Sequence, residues 1–320
     1  MQPRALVPAS VRVPCSTSNL GAGFDCIGLA LARHLHVAYE PGAAPVRIER
    51  AGTLAFQTHD AGDDAIVRAL ATGLAARGVS GFGGVLRATS GIPVSRGLGS
   101  SAAATVAGLA LAAAALGEPF ERESALEAAA ALEGHPDNAA PALHGGLVAI
   151  ATGADGRPRA FPLPLSDRIG FAFAAPPVEI ATAYARRVLP ASVPHATAVR
   201  ALGRVAALVR GLAEGDPELL RTGFTDALHV PYRMPLIPGA ADAVAAALDA
   251  DAWAVTVSGS GSGLIAVCPA GTEDRVAERM LEAFGAAGAL AGAGRALAGE
   301  DAGVGFAVRV DMDGVRIEGA

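Results

Sequence analysis

The sequence predicts a two-domain protein of mixed helix and sheet, and three observations lead there. At 320 residues the chain is long enough for two ordinary domains, each burying its own core. Hydrophobic residues make up 52% of it and aromatics only 4%, so the core must be built largely from Ala, Val and Leu, which suits helices lying closely on sheets. Periodicity also fails conspicuously at Ala151 to Leu165, where Gly, Asp, Pro158, Pro162 and Pro164 interrupt it. The boundary is placed there, giving domains of residues 1–160 and 161–320.

Along the first half, Val11 to Pro14 and Leu35 to Tyr39 read as strands around a glycine-rich turn, with further strands at Val46 to Glu49 and Gly84 to Thr89. Asp63 to Arg77 has helical spacing, with Ile66, Val67, Leu70 and Leu74 on one face and an acidic start. Ser101 to Leu116 is the strongest helix, about 24 Å long at 1.5 Å per residue, and Gly117 and Pro119 stop it. A helix near Arg122 to Glu133 ends at Gly134, and Gly145 to Ile150 returns as a strand. In the second half, Ile169 to Ala174 is a strand and His195 to Leu212 and Glu218 to Leu228 are helices. Trp253 to Val257 pairs with Leu264 to Cys268 across a glycine-serine turn. The helix Thr272 to Phe284 and the strand Val304 to Asp311 close the chain, with an Ala/Gly-rich stretch, Gly285 to Gly299, between them that reads as a mobile loop.

Composition excludes several classes of function. The most apolar run, Ala102 to Leu116, is too short for a bilayer, which needs ~20 residues, and the N-terminus lacks the apolar stretch of a signal peptide. A cytoplasmic location without membrane partners is therefore expected. A net charge of −6 argues against a nucleic-acid surface. Cys15, Cys26 and Cys268 have no metal-ligand spacing and read as small buried hydrophobes. The chain contains no lysine, so any phosphate must be met by arginine, histidine, a helix N-terminus or a metal. That rules out the Walker loop, whose chemistry depends on a lysine.

Four segments carry chemistry. Gly91-Ile-Pro-Val-Ser-Arg-Gly-Leu-Gly-Ser-Ser-Ala-Ala lies between a predicted strand and the best helix. Gly97 and Gly99 let backbone amides approach a ligand, and Ser100 and Ser101 open a helix whose first amides and dipole favour an anion. Taken alone, the pattern also suits an ordinary helix cap after a tight turn. In Pro14-Cys-Ser-Thr-Ser-Asn-Leu-Gly-Ala-Gly-Phe-Asp, the residues Asn19, Gly21, Gly23 and Asp25 form a turn rich in donors and acceptors, able either to bind a substrate or to serve its own backbone. Glu133-Gly-His-Pro-Asp-Asn gathers carboxylate, imidazole and amide at a helix end, suited to Mg²⁺ and to orienting a nucleophile, or to being a polar terminus. Ser258-Gly-Ser-Gly-Ser-Gly can wrap an anion or form a flexible hairpin.

In this order the segments resemble the GHMP kinases. Pro93 to Ala103 is similar to their phosphate loop. Asn19 to Asp25, Glu133 to Asn138 followed by Ala140-Pro-Ala-Leu and Gly145-Gly146, and Pro231-Tyr-Arg with Leu236-Ile-Pro-Gly resemble the branch acting on homoserine. The resemblance implies an α+β, two-domain GHMP kinase fold: an N-terminal ATP-binding domain with a left-handed β-α-β crossover and a C-terminal ferredoxin-like domain, with the active site between them. It implies ATP and L-homoserine as substrates, Mg²⁺ as cofactor and threonine biosynthesis as the context; relatives are often homodimers. ATP would lie on Pro93, Val94, Ser95, Arg96, Gly97, Leu98, Gly99, Ser100, Ser101, Ala102 and Ala103, with Asp64 near the adenine. Ser100 and a glutamate would hold the metal; Glu133 fits the local motif and Glu127 the longer spacing of relatives, and Glu133 is taken. Asn19, Asp25, His135, Asn138, Arg186, Arg233, Gly259 and Ser260 would surround homoserine, the arginines on its carboxylate and Asp25 on its amino group or hydroxyl. Asn138, His135 and Arg186 would be the catalytic residues, with His135 and Asp137 as fallback bases.

Two departures stand out: Ser262 and Gly263 replace the usual Pro and Thr, and Asp64 stands where Asn is common. The rival readings are a GHMP kinase for another small alcohol such as mevalonate, a dinucleotide-dependent oxidoreductase and a non-catalytic nucleotide-binding module. The oxidoreductase would require G-x-G-x-x-G, whereas this loop runs G-L-G-S-S-A.

Overall fold

The computed structural model describes residues 4–287 and 303–319. β1 (Ala9–Asn19) and β2 (Gly23–Pro41) form a long antiparallel hairpin across a three-residue turn. β3 (Arg47–Gly52), α1 (Ala65–Ala75) and β4 (Gly84–Ser90) follow as a β-α-β unit whose strands pair in parallel. Next come α2 (Ser100–Ala115), α3 (Arg122–Glu133), α4 (Ala139–His144) and the hairpin of β5 (Leu147–Thr152) and β6 (Pro158–Leu163). β7 (Ile169–Ala175) opens the second sheet; α5 (Thr182–Arg187), α6 (His195–Glu214), α7 (Pro217–Phe224), α8 (Val230–Arg233) and α9 (Ala240–Asp249) precede β8 (Ala254–Val257) and β9 (Leu264–Pro269). α10 (Glu273–Ala286), β10 (Val304–Val308) and β11 (Arg316–Glu318) complete the described chain.

Among the described residues the strands form two sheets. The first has seven strands, with β2 shared: its N-terminal part pairs with β5, its C-terminal part with β4. β11 adds to it beside β1, so the end of the chain returns to the first sheet. The second is antiparallel in the order β10-β7-β9-β8, which is the 4-1-3-2 order of a ferredoxin-like unit.

The Ala-rich core follows from how these layers stack. α2 is apolar around most of its circumference and buries twelve residues, as a helix enclosed on all sides must. It packs against β1, α1 and α3. β7 is buried at every position because both its faces are covered. Phe171, Phe173 and Ala175 join the core of the first sheet, whereas Ala172 and Ala174 join a second core with Ala243 and Ala247 of α9 and Val276 and Met280 of α10. The period of two along the strand thus welds the two layers together.

Several expected elements changed. The stretch Ala151 to Leu165 is no irregular linker: its prolines sit in and beside β6, which among the described residues pairs only with β5 and so loses no ladder bond on its open edge. The helix expected over Glu218 to Leu228 stops at Phe224, because Asp226 takes the backbone amides of Leu228, His229 and Val230 and starts α8 instead. α4, α5 and α9 arise where no helix was expected. The Ala/Gly-rich stretch Gly285 to Gly299 falls almost wholly outside the described residues; its first residues extend α10.

Candidate active site

The β4–α2 loop is built from backbone. Ser95, Gly97 and Gly99 all have positive φ, at 56°, 76° and 62°. Gly99 is the N-cap of α2 and offers no side-chain acceptor, so the first helical amides face outward without a cap. A Cβ on Gly97 would lie 2.2 Å from the Ser258 carbonyl oxygen, so this position must be glycine for the loop to meet the β8–β9 turn. The Ser258 hydroxyl donates to the Gly97 carbonyl at 2.6 Å and therefore accepts from Thr17, 2.8 Å away. The Gly263 amide donates to the Arg96 carbonyl at 3.2 Å. The two glycine-rich segments are thus one clamped unit.

The β1–β2 turn and the α3–α4 joint bring the polar side chains. Asn19 is buried and spends its amide internally: Nδ2 donates to the Gly259 carbonyl at 2.8 Å, and Oδ1 accepts from the Asp25 amide at 3.0 Å. α3 ends at Gly134, and the following turn returns His135 and Asn138 to the loop. Asn138 donates from Nδ2 to the Ser18 hydroxyl at 3.0 Å and accepts at Oδ1 from the Ser16 hydroxyl at 3.1 Å. His135 Nδ1 lies 2.6 Å from Asp137. That hydrogen bond raises the His135 pKa above its ordinary value despite burial. Burial works against a charged Asp137, but the bonds from His135 and Ser18 outweigh it and hold the carboxyl below its usual range.

α5 supplies Arg186, whose guanidinium grips Asp25 with two parallel bonds of 3.0 and 2.8 Å. Burial opposes the charge of Arg186, and the Asp25 carboxylate more than restores it. Arg233, on α8, is 2% exposed and donates to the carbonyls of Ala185 and Gly259, each at 3.2 Å. Burial lowers its pKa, with the neighbouring Arg186 adding to the effect.

These groups enclose a cavity of about 200 Å³. Asn19, Asp25, His135, Asn138, Arg186, Arg233, Gly259 and Ser260 line it, together with Ser95, Gly97, Gly99, Ser100, Ser101, Ala102 and Glu133. A second cavity of about 310 Å³ adjoins it, sharing Ser95, Ser100, Ser101 and Glu179, with apolar walls from Leu35, Leu54, Ile92 and Ala104. Val94 and Asp64 line this second space. The Asp64 carboxylate is already committed, capping α1 through the Ile66 amide at 2.8 Å and pairing with Arg50 at 2.8 Å and His59 at 3.2 Å. Pro93, Arg96, Leu98 and Ala103 are buried and line neither cavity; they support the loop from behind. Arg96 donates to the Val178 carbonyl at 3.2 Å.

Glu133 accepts from the hydroxyls of Ser101 (3.0 Å) and Thr105 (2.6 Å) beside the start of α2. Glu127 instead lies 3.4 Å from Arg157 at the surface and does not line the cavity. Ser16, Ser18, Thr17, Glu179 and Thr182 were missed from sequence. The run Ser16-Thr17-Ser18 carried a signal, three consecutive hydroxyls in one strand; all three are fully buried. Thr182, 3.2 Å from the Ser260 hydroxyl, carried none.

Models of the GHMP kinases N terminal domain and GHMP kinases C terminal match residues 64–146 and 208–291. Curated relatives include a homoserine kinase of Thermus thermophilus, 42% identical over 273 residues, covering 85% of this chain and 90% of that protein. The chain belongs to the GHMP kinase family. A homoserine kinase of Prochlorococcus marinus is 38% identical over 283 residues, covering 87% of this kinase and 89% of its relative. A crystal structure of homoserine kinase from Cytophaga hutchinsonii superposes with a TM-score of 0.83 at 28% identity, covering 97% of each chain. A mevalonate kinase from L. major shares the fold, with a TM-score of 0.65 at 15% identity over 94% of this chain and 95% of its own. Membership brings ATP-dependent phosphoryl transfer with it, and the predicted family, fold and enzyme class stand.

Proposed function

We propose that this kinase transfers the γ-phosphoryl group of ATP to the side-chain hydroxyl of L-homoserine, giving O-phospho-L-homoserine and ADP on the way to threonine. One observation carries the choice of acceptor. The cavity wall holds a carboxylate and two guanidiniums side by side, Asp25, Arg186 and Arg233, which is the charge complement of a zwitterionic amino acid. Asp25 meets the ammonium group, and the arginines meet the carboxylate. A mevalonate acceptor has no ammonium group to place against Asp25. The names of the curated relatives support the same substrate.

The nucleotide reading rests on the adjoining spaces. The apolar-walled cavity takes the adenosine, and the triphosphate passes by Ser95, Ser100 and Ser101 onto the uncapped amides of α2. With no lysine in the chain, the amides and dipole at the start of α2 carry the positive character on this side. Mg²⁺ fits the donor set: Ser100 and Glu133 present hard oxygen atoms where phosphates would lie, and this metal binds through one or two carboxylates plus substrate phosphates. When bound, it would neutralise charge on the phosphates. Phosphoryl transfer passes through a loose transition state, so alignment supplies much of the rate. Asn138 is neutral, held at both ends by Ser16 and Ser18, and orients the hydroxyl without taking its proton. His135 is oriented by its Nδ1 bond to Asp137 in the same wall of the cavity.

Among the described residues no helix is long and apolar enough to cross a membrane, and a cytoplasmic reaction fits these substrates. The test is ADP release from ATP and Mg²⁺ with homoserine, mevalonate and galactose offered separately. Turnover with homoserine alone is expected; turnover with mevalonate in its place would sink the substrate assignment.

A further inference from the structure

The turn that carries Asn19 and Asp25 and the helix that carries Arg233 meet through one side chain with no role so far. His229 is fully buried, with Nε2 3.0 Å from the Gly21 carbonyl oxygen and Nδ1 3.5 Å from the Arg233 guanidinium. Its ring stacks on Phe24, with centroids 4.9 Å apart and planes at 19°, and the Arg233 guanidinium lies 5.1 Å from the same Phe24 ring.

Proton counting selects one form of this ring. A carbonyl only accepts, so Nε2 must carry the hydrogen. Arg233 only donates, so Nδ1 must present its lone pair. The Nδ1–H tautomer would set two lone pairs against Gly21 and two donors against each other, and the imidazolium would add a positive charge beside Arg233. Only the neutral Nε2–H ring satisfies both neighbours. Burial supports this by pulling the His229 pKa down to about 4, although Asp226 and Asp25 act in the opposite direction. The backbone of His229 is held independently, its amide donating to Asp226 at 2.6 Å, so the start of α8 does not need the ring.

We infer that His229 is a positioning residue for the acceptor site: its neutral Nε2–H imidazole ties the Gly21 turn to Arg233 and holds that guanidinium aimed at the substrate carboxylate. The last clause rests on the homoserine reading; the tautomer and the tie do not.

Two measurements test it. His229→Phe keeps the stack on Phe24 and removes both hydrogen bonds, and it is expected to raise the KM for homoserine about tenfold while leaving kcat and the KM for ATP within about threefold. His229→Gln, which can donate and accept at once, is expected to recover most of that loss. An unchanged homoserine KM in His229→Phe, or a Gln variant no better than Phe, would overturn the proposal. Long-range ¹H–¹⁵N NMR of the wild-type imidazoles reads the ring whether or not the Phe variant folds: a neutral Nε2–H ring from pH 6 to 8 supports the tie, and an Nδ1–H or charged ring overturns it. Wild-type enzyme that ignores homoserine would instead remove the substrate assignment and leave the NMR result to decide the tie.

Discussion

The two sides of the cavity are made in different ways. On the side proposed for the nucleotide, one contiguous segment from Pro93 to Ser101 turns its backbone toward the cavity, and its side chains mostly support it. On the acceptor side, Asp25, His135, Arg186 and Arg233 come from four separate elements, and each contributes a side chain. A backbone site depends on the few positions where a Cβ cannot fit. A side-chain site depends on every charge and on the packing that aims it. Damage to the first should therefore appear in turnover, and damage to the second in recognition of one substrate.

The largest effect is expected at Gly97. A Val there would collide with the Ser258 carbonyl and force a side chain into a positive-φ position, so Gly97→Val should lower kcat/KM about a thousandfold or more, measured by coupled ADP release. Next, Ser100→Ala should lower kcat on the order of a hundredfold while homoserine affinity by calorimetry stays within about threefold. Equal activity in that variant would take the loop out of phosphate binding.

Asp25→Asn should do the reverse, raising the homoserine KM roughly thirtyfold with a smaller change in kcat, because the ammonium loses its counter-charge and Arg186 loses its bidentate partner. Arg186→Lys should follow it at about tenfold, since an ammonium cannot form the paired bonds. A shift in the ATP KM instead would erase the contrast between the two sides.

The smallest effect concerns pH. The folded pKa of His135 is raised above its ordinary 6.5, so its bond to Asp137 contributes fully below pH 6.5 and is lost as pH rises through the raised folded value. Denaturant unfolding should find His135→Gln less stable than wild type by about 1 kcal/mol near pH 6, with the gap closing in alkali. A gap that widens in alkali would mean that His135 acts through packing.

Legibility followed the same division. The glycine-rich turn before α2 could be read from residues because a local backbone requirement leaves a local pattern: two glycines, two serines and a helix that stops at a glycine. The joint of α3 with its following turn was equally plain, since Glu133, Gly134 and Asn138 stand close in sequence. Thr182 and Glu179 left no such trace; they reach the cavity because β7 delivers the chain beside the loop before α5 begins. Asp226 looked like one more residue in a helix, and its real work of starting α8 depends on where the chain turns. The prolines of β6 misled for a related reason: a proline forbids a strand only where a neighbour needs its amide, and which edge lies open is a property of the sheet.

The amino-acid sequence by itself determined the glycine-rich turn into α2, the absence of lysine and the family to which the chain belongs, because each is written in neighbouring residues or in composition. Only the tertiary structure decided which glutamate faces the cradle, that Arg186 closes on Asp25, and that a buried histidine links Gly21 to Arg233. Those depend on distances between groups up to 161 and 208 residues apart in the chain, and no local pattern encodes a distance that folding alone creates.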